Sequence, residues 1–222
     1  MNTSLASYID HTLLKQTATR KHIKALCEEA KKFHFTSVCI QPHYVQTAAR
    51  FLQGTRVKVC TVIGFPLGQN ITAIKVAETR RALRQGADEI DMVINLSWLL
   101  DRADSKIIKE IKAIKASCSD RILKVILETS LLTPEQIVHA CTLCKEAGAD
   151  FVKTSTGFAN GGATVEAVTL MKQTVGTALE VKASGGVRDL ATMKAMIAAG
   201  ATRIGTSSGV AIMQGETSPS SY

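Results

Sequence analysis

The sequence predicts a single-domain α/β protein with the architecture of a closed, parallel (β/α)8 TIM barrel. Eight short apolar segments with strand character alternate with helical patterns over the 222 residues. Polar residues at the predicted strand ends recur at intervals of 29 to 33 residues from Asp91 to Lys182, close to the roughly 30 residues of one βα unit. A chain of about 200 to 250 residues accommodates such a barrel as one domain. The alternative, an open doubly wound sheet, usually has fewer units.

The strand candidates are short apolar runs that end in polar or glycine-rich segments. They lie at residues 7–12, 36–41, 57–65, 89–95, 122–128, 150–155, 179–184 and 202–207. Helical patterns fill the intervals, and one begins with Thr133 as N-cap, Pro134 at the first helical position and Gln136 at the reciprocal capping position. We expect the barrel domain to span residues 1–214 and residues 215–222 to form a mobile C-terminal tail.

An internal repeat fixes which residues share a face of the barrel. Three segments join a glycine to an apolar strand, namely QGADEID, AGADFVK and AGATRIG, which begin at residues 85, 147 and 199. The glycine suits the position after a helix end, where a left-handed backbone costs glycine little. Five residues beyond each glycine lie Asp91, Lys153 and Gly205. Because side chains alternate along a strand, equal offsets predict equivalent faces, and Asp91 and Lys153 converge if that face points inward.

Two lysines end apolar strand candidates, Lys153 in DFVKTSTG and Lys182 in EVKASGGVR. Burying an ammonium group costs free energy and favours the neutral amine, and a second cation nearby increases that preference. A neutral lysine is a nucleophile toward a carbonyl carbon. The pair therefore indicates Schiff-base chemistry, with one lysine neutral and the other charged. The alternative is that both side chains reach solvent at a strand edge.

Other polar residues surround this pair in the predicted barrel. Asp91 lies among apolar residues and is either a structural partner of Lys124 or a proton carrier, and the two roles are compatible. Asp10 ends the first strand and is expected to orient a substrate hydroxyl or to cap a turn. Cys39 lies near the predicted pocket mouth, where its thiol is a candidate for reaction with aldehydes. Glu128 is assigned either to the site or to a helix cap.

Glycine-rich turns follow the last two strands and predict a phosphate site. Glycine lets backbone amides approach an anion closely, and barrels often hold phosphate after these strands. A single glycine-rich motif is more often only a turn, but two such motifs after successive strands favour a phosphate-binding site. The predicted phosphate-binding residues are Gly157, Gly185, Gly186, Gly205, Ser207 and Ser208.

The net charge of +8 is compatible with nucleic acid, an anionic membrane surface or an anionic small molecule. Aromatic residues make up only 5% of the chain and do not interleave with the basic residues, which disfavours the rival hypothesis of a nucleic-acid-binding module. The first residues lack the features of a signal peptide, and no apolar run approaches the roughly 18 residues of a membrane span. We therefore expect a cytoplasmic protein without a membrane partner.

No cofactor or metal is expected from the motifs. The five histidines form no ligand-like cluster, and neither a G-x-G-x-x-G motif nor a Walker A loop is present. Cys141 and Cys144 form a C-x-x-C motif, but no second pair accompanies it, so we do not expect it to bind a metal. The six cysteines fall at irregular spacings, so we expect free thiols rather than a disulfide framework.

Together, the motifs resemble the deoxyribose-phosphate aldolase family of class I aldolases. The resemblance covers nearly the whole chain and rests on the order of IDHTLL, FPLG, GADEIDMVIN, LKVILET, GADFVKTSTGF, KASGGVR and GTSSG. It implies the metal-independent, reversible cleavage of 2-deoxy-D-ribose 5-phosphate to D-glyceraldehyde 3-phosphate and acetaldehyde, a step of deoxyribose phosphate catabolism. The alternative is another lysine-dependent barrel aldolase, of the transaldolase type.

The resemblance also implies roles for individual residues. Lys153 forms the Schiff base, Asp91 donates and accepts protons, and Lys182 keeps Lys153 neutral and shares in proton transfer. Lys124 matches the lysine near the aspartate. Tyr222, at the end of the tail, is a candidate gate or proton-shuttling aid. The implied assembly is a homo-oligomer.

Overall fold

The computed structural model describes residues 3–217. Eight parallel strands form one closed barrel, in which each strand pairs with the next and the last pairs with the first. The predicted barrel is confirmed, and the open sheet is excluded. The strands are β1 (Ile9–Leu13), β2 (Ser37–Ile40), β3 (Lys58–Ile63), β4 (Glu89–Val93), β5 (Ile122–Ile126), β6 (Phe151–Lys153), β7 (Glu180–Ser184) and β8 (Arg203–Thr206).

Helices alternate with these strands. Thr133 accepts a hydrogen bond from the backbone of Gln136 at one helix start, and the Gln136 side chain accepts one from the Thr133 backbone, so this predicted capping box is confirmed. The helices are α1 (Thr3–Ala6), α2 (Arg20–Phe33), α3 (Val45–Leu52), α4 (Thr72–Arg84), α5 (Leu96–Leu100), α6 (Asp104–Cys118), α7 (Pro134–Glu146), α8 (Val165–Val175), α9 (Leu190–Ala198) and α10 (Gly209–Gln214), and short 3-10 turns lie at Pro42–Tyr44 and Thr129–Leu131.

The glycines of the internal repeat occupy the predicted position after three helices. Gly86, Gly148 and Gly200 have φ angles of 104°, 79° and 110° and follow the last turns of α4, α7 and α9. A left-handed residue at this position ends the helix and returns the chain toward the next strand. Each of these three glycines thus fixes where the helix ends and where the following strand begins.

The strand register determines which side chains meet inside the barrel. Asp91 lies opposite Lys124, and Lys153 lies opposite Lys182, which in turn lies opposite Arg203. The intervening residues of the same strands, such as Ile90, Val125, Val152 and Val181, belong to the buried apolar core that also includes the helices. Charged groups therefore occupy the inside of the barrel, and the apolar core surrounds it.

Most strands end earlier than the sequence predicted. The strand expected at 57–65 ends at Ile63 because Gly64 takes a left-handed φ of 60°. None of the helices within residues 3–217 is long and apolar enough to cross a lipid bilayer. All six cysteines are free thiols, as expected, and all six are buried, including Cys39, which was predicted near the pocket mouth.

The last helix ends at Gln214, directly before the segment predicted as a tail. Gly215 follows in a left-handed conformation with a φ of 78°. The predicted role of Tyr222 lies outside the described residues.

Candidate active site

Lys153 is the last residue of β6, at the barrel end where the C termini of the strands meet. About 3% of its side chain is exposed, whereas the side chains of Lys124 and Lys182 have no exposed surface. Its Nζ atom lies 2.9 Å from Oδ2 of Asp91. Of these three lysines, Lys153 is the one with solvent-accessible surface.

Asp91 connects three lysines through its two carboxylate oxygens. Oδ2 accepts hydrogen bonds from Lys153 at 2.9 Å and from Lys182 at 2.8 Å. Oδ1 accepts one from Lys124 at 3.0 Å and one from the Cys60 thiol, whose sulfur lies 3.1 Å away. The structure therefore brings Asp91 together with Lys153, Lys182 and Lys124 as the sequence predicted.

The electrostatics of Lys182 differ from the expectation that burial favours the neutral amine. Burial lowers the pKa of Lys182, but attraction to Asp10 and Asp91 outweighs burial and holds that pKa well above its usual value. Burial raises the pKa of Asp91, yet attraction to its cationic neighbours, Lys124 and Lys182 among them, holds it well below its usual value. Lys182 is therefore an ammonium and Asp91 a carboxylate in the free protein.

Asp10 lies within β1 and does not cap a turn, whereas its expected contact with a substrate hydroxyl stays a prediction. It is fully buried, and its Oδ1 accepts hydrogen bonds from Ser37 at 2.6 Å and from Arg203 at 2.8 Å. Its Oδ2 lies 2.5 Å from Lys182 Nζ, an ion pair without the alignment of a hydrogen bond. Burial raises the pKa of Asp10, but Lys182 and Arg203 more than offset this and lower it.

Cys39 and Cys60 lie opposite each other on β2 and β3 and are fully buried. A hydrogen bond with Cys60 lowers the pKa of Cys39, whereas burial and the contacts with Cys39 and Asp91 raise that of Cys60. Both sulfurs and a carboxylate oxygen of Asp91 lie within 4.8 Å of one another, a ligand spacing that metal ions use. The Lys124 and Lys182 ammonium groups on Asp91 repel a further cation, so we assign no metal to this group.

Glu128 supports the turn after β6. Its carboxylate accepts hydrogen bonds from the backbone N–H and the hydroxyl of Thr156. Glu128 itself has a left-handed φ of 57° and directly precedes the short turn at 129–131. Glu128 thus stands at the N-cap position of this turn, and its side chain binds the loop that follows Lys153 rather than the turn backbone.

A cavity of about 440 Å³ opens between the loops that follow β6, β7 and β8. Four predicted phosphate-binding residues line it, namely Gly157, Gly185, Gly186 and Ser207. The backbones of two loops are in close contact here, because the N–H of Ala163 donates to Gly185 O at 2.9 Å and a Cβ on Gly162 would lie 2.3 Å from that oxygen. Arg188, which the sequence prediction missed, also lines the cavity.

Gly205 and Ser208 do not line this cavity. A Cβ on Gly205 would lie 3.0 Å from the Ser184 Cβ and 3.1 Å from the Lys182 Cε. The glycine therefore leaves space for the Lys182 side chain. Ser208 is buried, and its backbone N–H donates to the Thr206 hydroxyl.

A sequence profile described as "DeoC/LacD family aldolase" matches residues 4–215. The chain belongs to the DeoC/LacD aldolase family. The family predicted from the motifs is thus confirmed, and so is the prediction that the protein is an aldolase. The rival hypothesis of a nucleic-acid-binding module is not supported.

Named relatives of this DeoC/LacD aldolase cover nearly all of its length. Deoxyribose-phosphate aldolase 1 of Vibrio vulnificus is 59% identical over 209 residues, 94% of this chain and 95% of that protein. The deoxyribose-phosphate aldolase of Geobacillus sp. is 56% identical over the full length of both chains. Among solved structures, the tetrameric deoxyribose phosphate aldolase of Aeropyrum pernix has a TM-score of 0.88 and 34% identity, with coverage of 96% of this chain and 90% of that one.

Two buried residues of the aldolase site were missed by the sequence prediction. Glu89 and Arg203 lie at the first positions of β4 and β8 and join the charged groups inside the barrel. Both stand three residues after a repeat glycine, two residues before Asp91 and Gly205. The same alternation that placed Asp91 inside predicts them on the same face, so the signal was present in the repeat.

Proposed function

We propose that this aldolase reversibly cleaves 2-deoxy-D-ribose 5-phosphate to D-glyceraldehyde 3-phosphate and acetaldehyde through a Schiff base on Lys153. The observation that carries the proposal is the contact of Lys153 with the carboxylate oxygen of Asp91 that also binds the Lys182 ammonium. A buried lysine that keeps a little accessible surface, beside a fixed cation and a carboxylate, is suited to imine chemistry. The names of the Vibrio and Geobacillus relatives support the choice of substrate.

In the cleavage direction, the amine of Lys153 attacks C1 of the open-chain sugar, and loss of water leaves a protonated imine. The C3 hydroxyl gives up its proton, the C2–C3 bond breaks, and the electron pair moves to the imine nitrogen. D-Glyceraldehyde 3-phosphate leaves, and an enamine remains on the lysine. Protonation of the enamine at C2 and hydrolysis then release acetaldehyde and the amine.

We assign the proton transfers to Lys182 and Asp91. In the free protein the pKa of Asp91 is low and that of Lys182 is high, as attraction to oppositely charged neighbours outweighs burial in both cases. Asp91 therefore starts as a proton acceptor and Lys182 as a donor. This division of roles is narrower than the one implied by the family resemblance, in which Asp91 both gives and takes protons.

The cavity lined by Gly157, Gly185 and Gly186 is the proposed phosphate anchor. Gly157 follows Lys153 by four residues, so phosphate and imine carbon are held by neighbouring parts of one loop. The two successive left-handed glycines, with φ angles of 83° and 81°, form a turn that needs no side chain. Arg188 adds a positive charge to the cavity wall.

Reductive trapping tests the covalent step. Acetaldehyde and borohydride should add a two-carbon adduct at Lys153 of the wild type, located by peptide mass mapping, and Lys153→Ala should show none. Absence of the adduct in the wild type would refute the mechanism. Metal-independent cleavage of 2-deoxy-D-ribose 5-phosphate, unaffected by a chelator, would separate the proposed activity from that of a transaldolase-type enzyme.

We also propose a homo-oligomer and a functional tail at residues 215–222. The tetrameric relative from Aeropyrum pernix supports the first proposal, and light scattering of the purified protein tests it. For the second, a chain ending at residue 214 and a Tyr222→Phe variant should both lose activity if the terminal hydroxyl assists proton transfer. Unchanged rates in both would refute the role of Tyr222.

A further inference from the structure

Arg203 joins two acidic residues inside the barrel that lie far from it in sequence. Its Nη1 atom lies 2.8 Å from Asp10 Oδ1 and 2.9 Å from Glu89 Oε2. Asp10 continues the chain of contacts, because its Oδ2 lies 2.5 Å from Nζ of Lys182. Burial lowers the pKa of Arg203, but Asp10 and Glu89 more than offset this and raise it, so the guanidinium stays charged.

The remaining contacts close these groups into a ring. Lys182 Nζ lies 2.8 Å from Asp91 Oδ2, and Lys124 Nζ lies 3.0 Å from Asp91 Oδ1. Lys124 Nζ also lies 2.5 Å from Glu89 Oε2, the oxygen that Arg203 contacts. Acids and bases alternate without interruption around this buried charge ring, which consists of Asp10, Lys182, Asp91, Lys124, Glu89 and Arg203.

The charge ring contains three carboxylates and three cations, so its net charge is zero. Lys153 stands outside it, and within residues 3–217 its one ion pair is with an oxygen of Asp91 that Lys182 already holds. As an ammonium, Lys153 would add one uncompensated positive charge to a buried cluster, which costs free energy. As an amine, it leaves the cluster neutral.

We propose that the charge ring keeps Lys153 in its amine form through charge balance, and that Arg203 and Glu89 are positioning residues for imine formation. Both are the first residues of their strands, so they lie toward the opposite end of the barrel from Lys153 and do not touch the reacting atoms. The inference rests on the proposed function, because it concerns the nucleophile of that reaction.

Charge balance also favours the next step of the reaction. The protonated imine on Lys153 brings the cluster to a net charge of +1. Asp91 accepts a proton from the carbon next to the imine, which gives the neutral enamine, and the cluster returns to zero net charge once that proton passes on to water. The charge ring thus favours the free amine before the condensation and the enamine after it.

Other polar groups face these residues from β2 and β3. The Cys39 thiol lies near Lys153 and Lys182, and Cys60 donates to Asp91. Lys58 Nζ lies 3.7 Å from Glu89 Oε1, but its side chain is 47% exposed, so solvent screens its charge. We therefore leave these groups out of the charge count.

Two single substitutions of opposite charge test the inference. The readout is the pH dependence of the initial rate at which acetaldehyde and cyanoborohydride modify Lys153. Arg203→Gln gives the ring one surplus negative charge, so Lys153 should take up a proton and the midpoint should rise by about one pH unit or more. Glu89→Gln leaves a surplus positive charge, so the midpoint should fall by a similar amount.

Three further variants separate charge balance from damage to the fold. Glu89→Gln combined with Arg203→Gln restores a neutral ring and should return the midpoint toward that of the wild type. Arg203→Lys keeps the charge and should keep the midpoint. Arg121→Gln removes a half-exposed arginine paired with Asp88 and should change nothing. Thermal melting of every variant shows which of them fold.

The outcomes are distinguishable. Opposite shifts in the single variants with recovery in the double variant support the inference. Trapping at Lys153 in the wild type with unshifted midpoints in folded variants, or shifts in the same direction, would overturn the inference and leave the proposed function standing. No adduct at Lys153 in the wild type would overturn both.

Discussion

Lys153 and Lys182 lie opposite each other on neighbouring strands, and their Nζ atoms both contact Oδ2 of Asp91, at 2.9 and 2.8 Å. The two lysines share one oxygen, but they differ in their other contacts. Lys182 also has Asp10 at 2.5 Å, whereas Lys153 has accessible surface. The pair is therefore divided into a fully buried ammonium held by two carboxylates and a lysine with accessible surface.

Lys182→Leu should reduce the cleavage rate at neutral pH by about 10²-fold or more. Without the Lys182 charge, Asp10 and Asp91 have one cation too few, and Lys153 becomes the ammonium that compensates them. Part of the activity should return at higher pH, where Lys153 loses its proton. The measurement is a pH–rate profile, with the exposed Lys145→Leu as control. Full activity of Lys182→Leu at neutral pH would contradict this role.

Gly205→Ala should lower the turnover number with phosphorylated and unphosphorylated substrates by the same factor. The added Cβ would lie 3.1 Å from Lys182 Cε, so it would displace the ammonium rather than the phosphate. Steady-state kinetics with 2-deoxy-D-ribose 5-phosphate and 2-deoxy-D-ribose provide the measurement. Gly186→Ala is the contrasting variant, because Gly186 has a left-handed φ of 81° and lines the proposed phosphate cavity, so its effect should fall mainly on the phosphorylated substrate. A loss confined to the phosphorylated substrate would restore the original assignment of Gly205.

Arg188→Gln should raise KM for 2-deoxy-D-ribose 5-phosphate by about tenfold, the scale of one partly solvated charge-assisted contact. Arg188 lines the proposed phosphate cavity, and its loss should leave the turnover number nearly unchanged. The same substitution should have little effect on the kinetics with 2-deoxy-D-ribose. Lys194→Gln removes an exposed charge from α9 and serves as control. An equal effect on both substrates would argue against the phosphate contact.

The buried carboxylates and lysines of the charge ring should together contribute a nearly constant amount to the free energy of unfolding from about pH 5 to about pH 10, and this contribution should fall on either side. The pKa values of Asp91 and Asp10 are lowered because attraction to buried cations outweighs burial, so their contribution is present above about pH 4 and is lost as pH falls toward their folded-state values. The pKa values of Lys124 and Lys182 are raised by buried carboxylates, so their contribution is lost as pH rises above about 10.4.

Urea unfolding between pH 3 and pH 11 measures this profile. Asp10→Asn should flatten the acid side, because one of the carboxylates with a lowered pKa is gone. Equal stability of the wild type at pH 3 and pH 7 would show that the buried carboxylates keep their ordinary pKa values.

The sequence allowed the barrel and the central residues to be predicted because both depend on periodic patterns. Alternation along strands and the repeat glycines placed Asp91 and Lys153 on one face. The loop residue Arg188 followed no such pattern, since its position depends on contacts between loops after different strands. The buried pairing of Asp10 with Arg203 was missed because Arg203 lies on the last strand, and local sequence carries no sign of that pairing.

The internal repeat also predicts that Glu89 and Arg203 face the inside of the barrel. The third residue after each repeat glycine is Glu89, Phe151 or Arg203. The Phe151 ring lies below Lys124 and Arg203, with its centroid 5.8 Å from Lys124 Nζ and 5.5 Å from Arg203 Cζ. The position is thus an inner layer of the barrel, with an aromatic surface between two cations.

The contact between Asp10 and Arg203 joins residues 193 positions apart, on the first and last strands. During synthesis, Asp10 leaves the ribosome long before Arg203 has been added to the chain. Until β8 emerges, the earlier strands would have to bury Asp10 and Glu89 without their guanidinium partner, at a large cost in free energy. The barrel therefore closes only after nearly the whole chain has been translated.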